Sequence, residues 1–274
     1  MREIDNLKQA ILKEYPRLTE ESGFTFSCHK GVSCFNRCCA DINIFLTPYD
    51  IVRMKSNLGI SSGDFLSKYT LAPFDENLKY PVVLLKMEDN ERKSCPFVTE
   101  EGCSVYADRP WACRMYPLGL ASPAEGSKDL DKEFYFILKE PDCMGFEEKK
   151  DFTVAQWLDD QGIAGYNEMG REFKELTLHR YFSEGNNLSP DKVEMFFTAC
   201  YHLDRFKDFL FKSSFFDKFD VDDETRDRIG KDDVELMKFG NRWLRFALFA
   251  EKTLPIKEDV LAREKHMMDI TGGR

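Results

Sequence analysis

The sequence predicts an α+β protein in which a small, mixed cysteine-cluster domain that binds metal is followed by an all-helical second half. Eight of the nine cysteines lie between Cys28 and Cys143, whereas after Asp151 the apolar residues recur at the three- and four-residue steps of amphipathic helices. A chain of 274 residues is long enough for one large domain or two modest ones. We place the boundary after residue 150, which gives a metal-binding domain over 1–150 and a helical domain over 151–274.

Composition excludes several classes of function. Hydrophobic residues make up 42% and charged residues 32% of the chain, which is typical of a packed protein. The net charge is −10, from 39 basic and 49 acidic residues, and this argues against a nucleic-acid partner. The longest apolar runs are about five residues, against roughly 18 for a membrane helix, and the first residues do not resemble a signal peptide. We expect a cytoplasmic protein that contacts neither membrane nor nucleic acid; its protein or redox partner stays unidentified.

The best-defined helix start in the first half lies at Thr47. The Thr47 side chain is suited to cap a helix, Pro48 suits the first helical position, and the Asp50 carboxylate is placed to reach back to the amide of the cap. The helix is predicted to run from Pro48 to Leu58 and to end at Gly59.

A similar start, with proline at the first helical position, is predicted at Asp108, Arg109 and Pro110, and Pro117 ends that short helix. The other elements follow from apolar periodicity and turn residues. In the first half they are helices over 4–12 and 64–69, an extended segment at 24–26, and strands over 80–87 and 133–139. In the second half they are helices over 154–161, 164–183, 190–211, 223–229 and 232–252, with a weaker one over 257–267.

The spacing of the cysteines is the sharpest functional signal. The chain contains no CxxC pair, so the usual zinc-knuckle and bacterial ferredoxin templates are absent. In a reducing cytosol, cysteines are thiols or metal ligands, and several of these lie in loops where a packing role is poorly motivated. Cys200 lies on the apolar stripe of its helix and is predicted to be a core residue. The predicted metal ligands are Cys28, Cys34, Cys38, Cys39, Cys95, Cys103, Cys113 and Cys143.

These ligands are expected to divide between two centres. Adjacent Cys38 and Cys39 project in different directions in either a helix or a strand, so they suit two metals or two corners of one cluster. Glu100 to Gly102 is interpreted as a three-residue hairpin loop, in which Thr99 faces Cys103. Cys95 then lies about 13 Å away along the strand, unless Pro96 bends it, and one zinc ion does not reach both thiols.

Several segments of the first half carry a resemblance to a known family. They are the cysteines from Cys28 to Cys39, then Leu46-Thr47-Pro48-Tyr49-Asp50, Cys95-Pro96-Phe97, Cys103-Ser104-Val105-Tyr106, Arg109-Pro110-x-x-Cys113-Arg114-x-Tyr116-Pro117 and the later Cys143. Over about residues 24–146 the chain resembles the YkgJ-type cysteine-cluster family, also called the CxxCxxCC family. The resemblance implies a zinc- or iron-chelating protein, and members are often described as iron–sulfur oxidoreductases. The first two gaps depart from the family's name motif, whereas the Cys38–Cys39 pair is kept.

Charge balance points to cationic neighbours for the metal. Four thiolates on zinc, or on a [4Fe–4S] cluster in its 2+ state, leave a net charge of about −2 that nearby donors must offset. Arg109 and Arg114 are the candidate cofactor-binding residues, with Lys30 and Arg37 as further cations. Arg109 and Cys113 are four residues apart and therefore share a helix face.

The sequence favours an iron–sulfur cluster as cofactor, with zinc as the alternative. Vicinal cysteines and widely separated ligand groups suit a large cluster, which would give an oxidoreductase or electron-transfer role. A second hypothesis is a zinc-stabilised structural module whose helical half binds a macromolecule. A third is a metal-dependent enzyme that modifies a protein side chain, which requires an open coordination position. No catalytic residue is identified by the sequence.

Overall fold

The computed structural model describes residues 11, 13–73, 78–126 and 132–262. Its strands are β1 (Gly23–Thr25), β2 (Phe45–Leu46), β3 (Thr70–Leu71), β4 (Val83–Leu85), β5 (Val98–Thr99), β6 (Gly102–Cys103), β7 (Leu118–Ala121), β8 (Phe134–Ile137) and β9 (Asp151–Thr153). Its α-helices are α1 (Pro48–Leu58), α2 (Ser62–Tyr69), α3 (Trp111–Met115), α4 (Val154–Asp160), α5 (Ile163–Thr177), α6 (Arg180–Ser183), α7 (Pro190–Cys200), α8 (Leu203–Lys212), α9 (Phe215–Lys218), α10 (Asp223–Lys231) and α11 (Asp233–Phe249). The expected α+β class is confirmed, with a mixed first half and a helical second half.

The sheets of the first half are small and antiparallel. Strands β2, β4 and β3 form one sheet in that order, and β5 pairs with β6, β7 with β8, and β1 with β9. The predicted extended segment at 24–26 and the strand predicted over 133–139 correspond to β1 and β8. The helix predicted over 4–12 lies outside the described residues.

Helix α1 forms as its local sequence predicts. The Thr47 hydroxyl accepts a hydrogen bond from the Asp50 amide at 3.1 Å, and Asp50 Oδ2 accepts from the Thr47 amide at 2.7 Å. Gly59 adopts the left-handed conformation, with φ of 64°, and ends the helix.

Two long helices predicted in the second half are each divided. The helix predicted over 164–183 breaks between α5 and α6, where the His179 side chain accepts a hydrogen bond from the Tyr181 amide. The helix predicted over 190–211 breaks between α7 and α8, where His202 caps the second segment in the same way. The sequence pattern does not reveal these breaks, because the apolar periodicity continues from each helix into the next one.

The two halves share one core. Met54 and Phe65 from the first half are fully buried in the same cluster as Phe196 and Leu236 from the second. Tyr80 stacks on Phe196 with ring centroids 5.7 Å apart. A second cluster, around Phe26, fills the space between β1, β9 and α4. The predicted boundary after residue 150 is therefore a change of secondary structure, since the two halves are packed together.

Strand β9 starts directly after that boundary and pairs with β1, so the first of the described strands is bound at the junction of the halves. Among the helices of the described residues, none combines the length and the apolar character that crossing a bilayer requires.

A shared core predicts that the two halves unfold together. Phe196→Ala removes a fully buried ring that contacts both halves and should lower the stability of the metal-free protein by about 3–5 kcal/mol. Urea unfolding followed by tryptophan fluorescence and by far-ultraviolet circular dichroism should show one transition that moves as a whole. Two transitions, of which only one moves, would contradict the shared core.

Candidate metal centre

The loop before Cys28 is tied to the segment that carries Cys143. The Phe26 amide donates to the Lys150 carbonyl and the Ser27 amide to the Gly145 carbonyl, both at 2.9 Å. Residue 145 must be glycine here, because a Cβ would lie 2.6 Å from the Phe26 ring and 2.8 Å from the Ser27 carbonyl oxygen. The backbone segments that carry Cys28 and Cys143 are therefore held next to each other.

The segment from residue 29 to 39 is a chain of turns. Hydrogen bonds of 2.9 to 3.3 Å link the amides of residues 32, 35, 37 and 39 to the carbonyls three residues earlier. Asn36 takes a positive φ of 65°, which asparagine tolerates better than most residues, and its side chain donates to the Thr99 carbonyl at 2.9 Å. The Met144 amide donates to the Cys34 sulfur at 3.2 Å, which places Cys34 beside Cys143.

Cys95, Cys103 and Cys113 lie on three further segments of the first half. The Cys95 amide donates to the Cys39 carbonyl at 2.8 Å, so these two residues are neighbours. Cys103 lies on β6 of the hairpin, and Cys113 lies on helix α3. All nine cysteines are free thiols.

The electrostatic interactions among the thiols divide them into two groups. Burial and, to a smaller extent, the charges of Cys38, Cys34 and Cys143 together raise the pKa of Cys28 to about 11. We call these four cysteines the first group. Within this group, Cys28 and Cys38 are exposed to solvent, whereas Cys34 is buried.

The second group consists of Cys39, Cys95, Cys103 and Cys113. Surrounding protein raises the pKa of Cys113 to about 12, although solvent reaches this residue, and the charges of Cys95 and Cys103 act in the same direction. Burial also raises the pKa values of Cys95 and Cys103. The pKa of Cys39 is raised by its neighbours Cys38, Cys95 and Cys113, with the Cys38 contribution the largest.

Cys38 and Cys39 lie where the two groups meet. A hydrogen bond between their thiols lowers the pKa of Cys38 to about 7 and raises that of Cys39. The two side chains are therefore in contact, while their other thiol neighbours belong to different groups.

The donor set fits a metal that prefers soft ligands. Thiolates select zinc or iron–sulfur clusters, and each group offers four of them. In the described residues, the side chains of His, Cys, Asp and Glu do not meet in threes around a point that could hold an ion. Thiols must lose their protons to bind a metal, which couples metal affinity to pH.

The hairpin differs from its prediction. Val98 faces Cys103 and Thr99 faces Gly102, so the loop contains two residues, Glu100 and Glu101, instead of three. The separation of about 13 Å expected for a straight strand from Cys95 does not apply, because the chain bends at Pro96, which was the stated exception. The Val98 amide donates to the Cys95 carbonyl at 3.1 Å, so the chain turns at Pro96 and returns Cys95 towards Cys103.

Arg109 lies beside the second group. Its charge lowers the pKa of both Cys103 and Cys113, against the larger effect of burial. Its guanidinium lies 3.8 Å from the centroid of the Tyr106 ring and donates to the Gln161 side chain. The arginine is buried, so its interaction with thiolates is only weakly screened by water.

Arg114 braces the backbone around the second group. It is buried, and its guanidinium donates to the carbonyls of Ala107, Arg109 and Gln161. It also lies 4.5 Å from the centroid of the Tyr166 ring. The contacts that the structure gives for this side chain join the loop before α3 to the end of α4.

Helix α3 does not begin as predicted. It starts at Trp111 with Pro110 as its cap residue, and Asp108 binds Arg53 and Asn57 instead of capping the helix. The missing acceptor comes from a distant residue. Asp50 Oδ1 accepts from the Trp111 amide at 2.7 Å.

Asp50 therefore joins two helix starts with one carboxylate. It is fully buried, and burial raises its pKa to about 6 although hydrogen bonds from Thr47 and Trp111 and the charge of Arg114 oppose the shift. Sequence reasoning recognised only the bond to Thr47. The bond to Trp111 leaves no local signal, because 61 residues separate the two partners.

Tyr116 is a second residue whose contact with the site sequence reasoning missed. Its hydroxyl is buried, and its pKa is raised by burial and by the neighbouring Cys143. Its only sequence signal is its position two residues after Arg114 in the motif that ends at Pro117.

One further prediction, on Cys200, can be compared with the structure. Cys200 is buried in the shared core, as predicted, with its sulfur 3.9 Å from the Asn241 side-chain oxygen. His29, next to Cys28, is exposed and lies 3.2 Å from a carboxylate oxygen of Glu148.

The fold and these thiols define a cysteine-rich metal-binding domain built from loops on a mixed α+β framework. Residues 27–151 match the family model described as "CxxCxxCC: Putative zinc- or iron-chelating domain". The match covers less than half of the 274-residue chain and agrees with the family resemblance that the sequence predicted. Comparison with curated proteins and with solved structures gave no match.

The division into groups predicts which cysteines affect which metal. Cys34→Ala should remove the metal of the first group, and Cys103→Ala or Cys113→Ala that of the second, each with a loss of stability because metal binding and folding are coupled. Cys200→Ala is the control and should keep its full metal content. Metal analysis of the purified variants measures this. The assignment would be contradicted if Cys200→Ala lost metal, or if none of the other cysteine variants lost metal.

Asp50 should act on the second group through α3. Asp50→Asn replaces one of two accepting oxygens by an amide that donates, so the side chain can no longer accept from both Thr47 and Trp111, and the start of the helix that carries Cys113 is weakened. We expect metal loss to a chelator to become at least about 10-fold faster at the second group and to stay unchanged at the first. Asp64→Asn is the matched control, since Asp64 binds the cap residue Ser61 of α2. Equal effects of both variants would contradict the role of Asp50.

Proposed function

We propose that this protein carries two cysteine-ligated metal centres, that these are iron–sulfur clusters, and that it transfers electrons in the cytoplasm. The observation that carries the proposal is that the fold brings cysteines distant in sequence together, with Cys34 beside Cys143 and Cys39 beside Cys95. The electrostatic interactions of the eight thiols fall into two sets of four that meet at Cys38 and Cys39. Metal binding itself agrees with the family of residues 27–151. A reducing compartment keeps such thiols available as ligands.

The first group would hold its cluster through Cys28, Cys34, Cys38 and Cys143, and the second through Cys39, Cys95, Cys103 and Cys113. Such a cluster supplies reversible one-electron chemistry. The protein supplies the thiolates and the charges around them. Arg109, beside Cys103 and Cys113, offsets part of the negative charge that four thiolates leave on the second centre.

Exposure supports a role in electron transfer. Cys28 and Cys38 of the first group and Cys113 of the second are reached by solvent. A partner that docks on this surface would approach both centres closely. The Cys38–Cys39 pair would also place the two centres one peptide bond apart, which favours transfer between them.

The second candidate is a zinc-stabilised interaction module. It is supported by how the ligands are held: residues 29–39 are turns, and Arg114 joins the neighbouring backbone to Gln161 at the end of α4. In that case the metal would only hold these loops in place, and the loops would in turn support the helical half that packs on them. Zinc would serve this role without any redox change.

The identity of the metal decides between the two candidates. Anaerobically purified protein should be brown, contain iron and acid-labile sulfide, and bleach with dithionite, because iron in a thiolate cluster absorbs visible light and changes oxidation state. Elemental analysis, sulfide determination and visible spectra give the measurement. The Cys34→Ala and Cys113→Ala variants should each keep about half of the iron.

Colourless anaerobic protein with two equivalents of zinc and no sulfide would contradict the redox proposal and favour the interaction module. Two equivalents of either kind of centre agree with the two groups. A single equivalent would contradict their division.

A further inference from the structure

The hydroxyl of Tyr116 is a buried polar group without a formed hydrogen bond in the described structure. Most buried hydroxyls in folded proteins are paired, so an unpaired one calls for a physical reason. One such reason is a ligand or ion that supplies the partner when it is bound.

The aromatic packing around Tyr116 holds its ring next to the segment that carries Cys143. The Tyr116 ring packs edge-on against Phe26, with centroids 5.7 Å apart, and Phe146 packs against the same Phe26 ring at 5.1 Å. Phe146 belongs to the 3₁₀ turn Met144–Glu147, which follows Cys143 directly. The shared contact with Phe26 thus holds the tyrosine and this cysteine against one another.

Tyr116 and Cys143 pack against the same buried cluster. Burial and the neighbouring Cys143 raise the pKa of the Tyr116 hydroxyl, which forms no hydrogen bond of good geometry. A neutral thiol is a weak acceptor and carries its own hydrogen. Metal binding removes that hydrogen and leaves a negatively charged sulfur. The O–H of Tyr116 would then face a strong, charged acceptor.

We propose that Tyr116 Oη donates a hydrogen bond to Cys143 Sγ when the first group holds its metal, and that this bond positions the thiolate and tunes the centre. The inference rests on the proposed function in one respect, namely that the first group binds a metal. Hydrogen bonds to ligand atoms typically raise metal affinity, and those to sulfur set the potential of iron–sulfur centres.

The variant Tyr116→Phe tests this with the ring contact to Phe26 kept. Co²⁺ is the probe, since its thiolate complexes absorb in the near ultraviolet whichever metal is native. In titrations of the metal-free protein against a competing chelator, one of two binding steps should weaken by about 10–100-fold. The sulfur-to-cobalt charge-transfer band of that step should move to longer wavelength, because the thiolate loses its donor.

Tyr166→Phe is the matched control. Its hydroxyl is likewise buried and unpaired, but its ring lies under Arg114. It should leave the first-group step unchanged.

Unfolding measurements separate this role from ordinary packing. Without metal, Tyr116→Phe should be as stable as the original protein or more stable, since it removes an unpaired polar group. With metal it should be less stable. A comparable loss of stability without metal, or unchanged binding and spectra, would overturn the inference while leaving the proposed function intact. Failure of the original protein to show a cobalt–thiolate band would overturn both.

Discussion

The carboxylate of Asp50 is the constraint on which the second group depends. One oxygen completes the start of α1 and the other completes the start of α3, and both bonds are formed where no water competes. Only a carboxylate accepts on both sides in this way. The raised pKa of Asp50 shows that its burial is unfavourable for the charge, so the protein keeps it for the geometry that it imposes.

That geometry extends outward from α3. The helix carries Cys113 towards the thiols, and Arg114 towards the carbonyls of Ala107 and Gln161. The position of one ligand is thereby linked to the end of α4 in the helical half. Together with the shared core around Phe196, this makes the helical half part of the support of the metal site.

Features that depend on neighbouring residues were predictable from the sequence. Helix α1 follows from Thr47, Pro48 and Asp50 alone, because all its capping bonds lie within four residues. The metal-binding character of the first half follows from the number and spacing of its thiols, and the family match over 27–151 agrees with it. The core position of Cys200 follows from its apolar helix face.

Features that depend on distant partners were not predictable. The start of α3 needs an acceptor 61 residues away, and the approach of Cys95 to Cys103 depends on a turn that the pattern of residues leaves open. The breaks at His179 and His202 were missed because histidine is an uncommon cap and the apolar stripe continues across it. The assignment of each thiol to a group likewise required the fold, because the groups interleave along the chain.

The contact between Cys38 and Cys39 has a consequence for how the site fills. Each proposed centre takes one of these two residues, so closing one group around a metal also restrains the backbone of the other. The second metal then binds to a chain that has already lost part of its conformational freedom, which lowers the entropic cost of that step. The first metal to bind thus eases the binding of the second, although each centre has four thiolates of its own and can fill without the other.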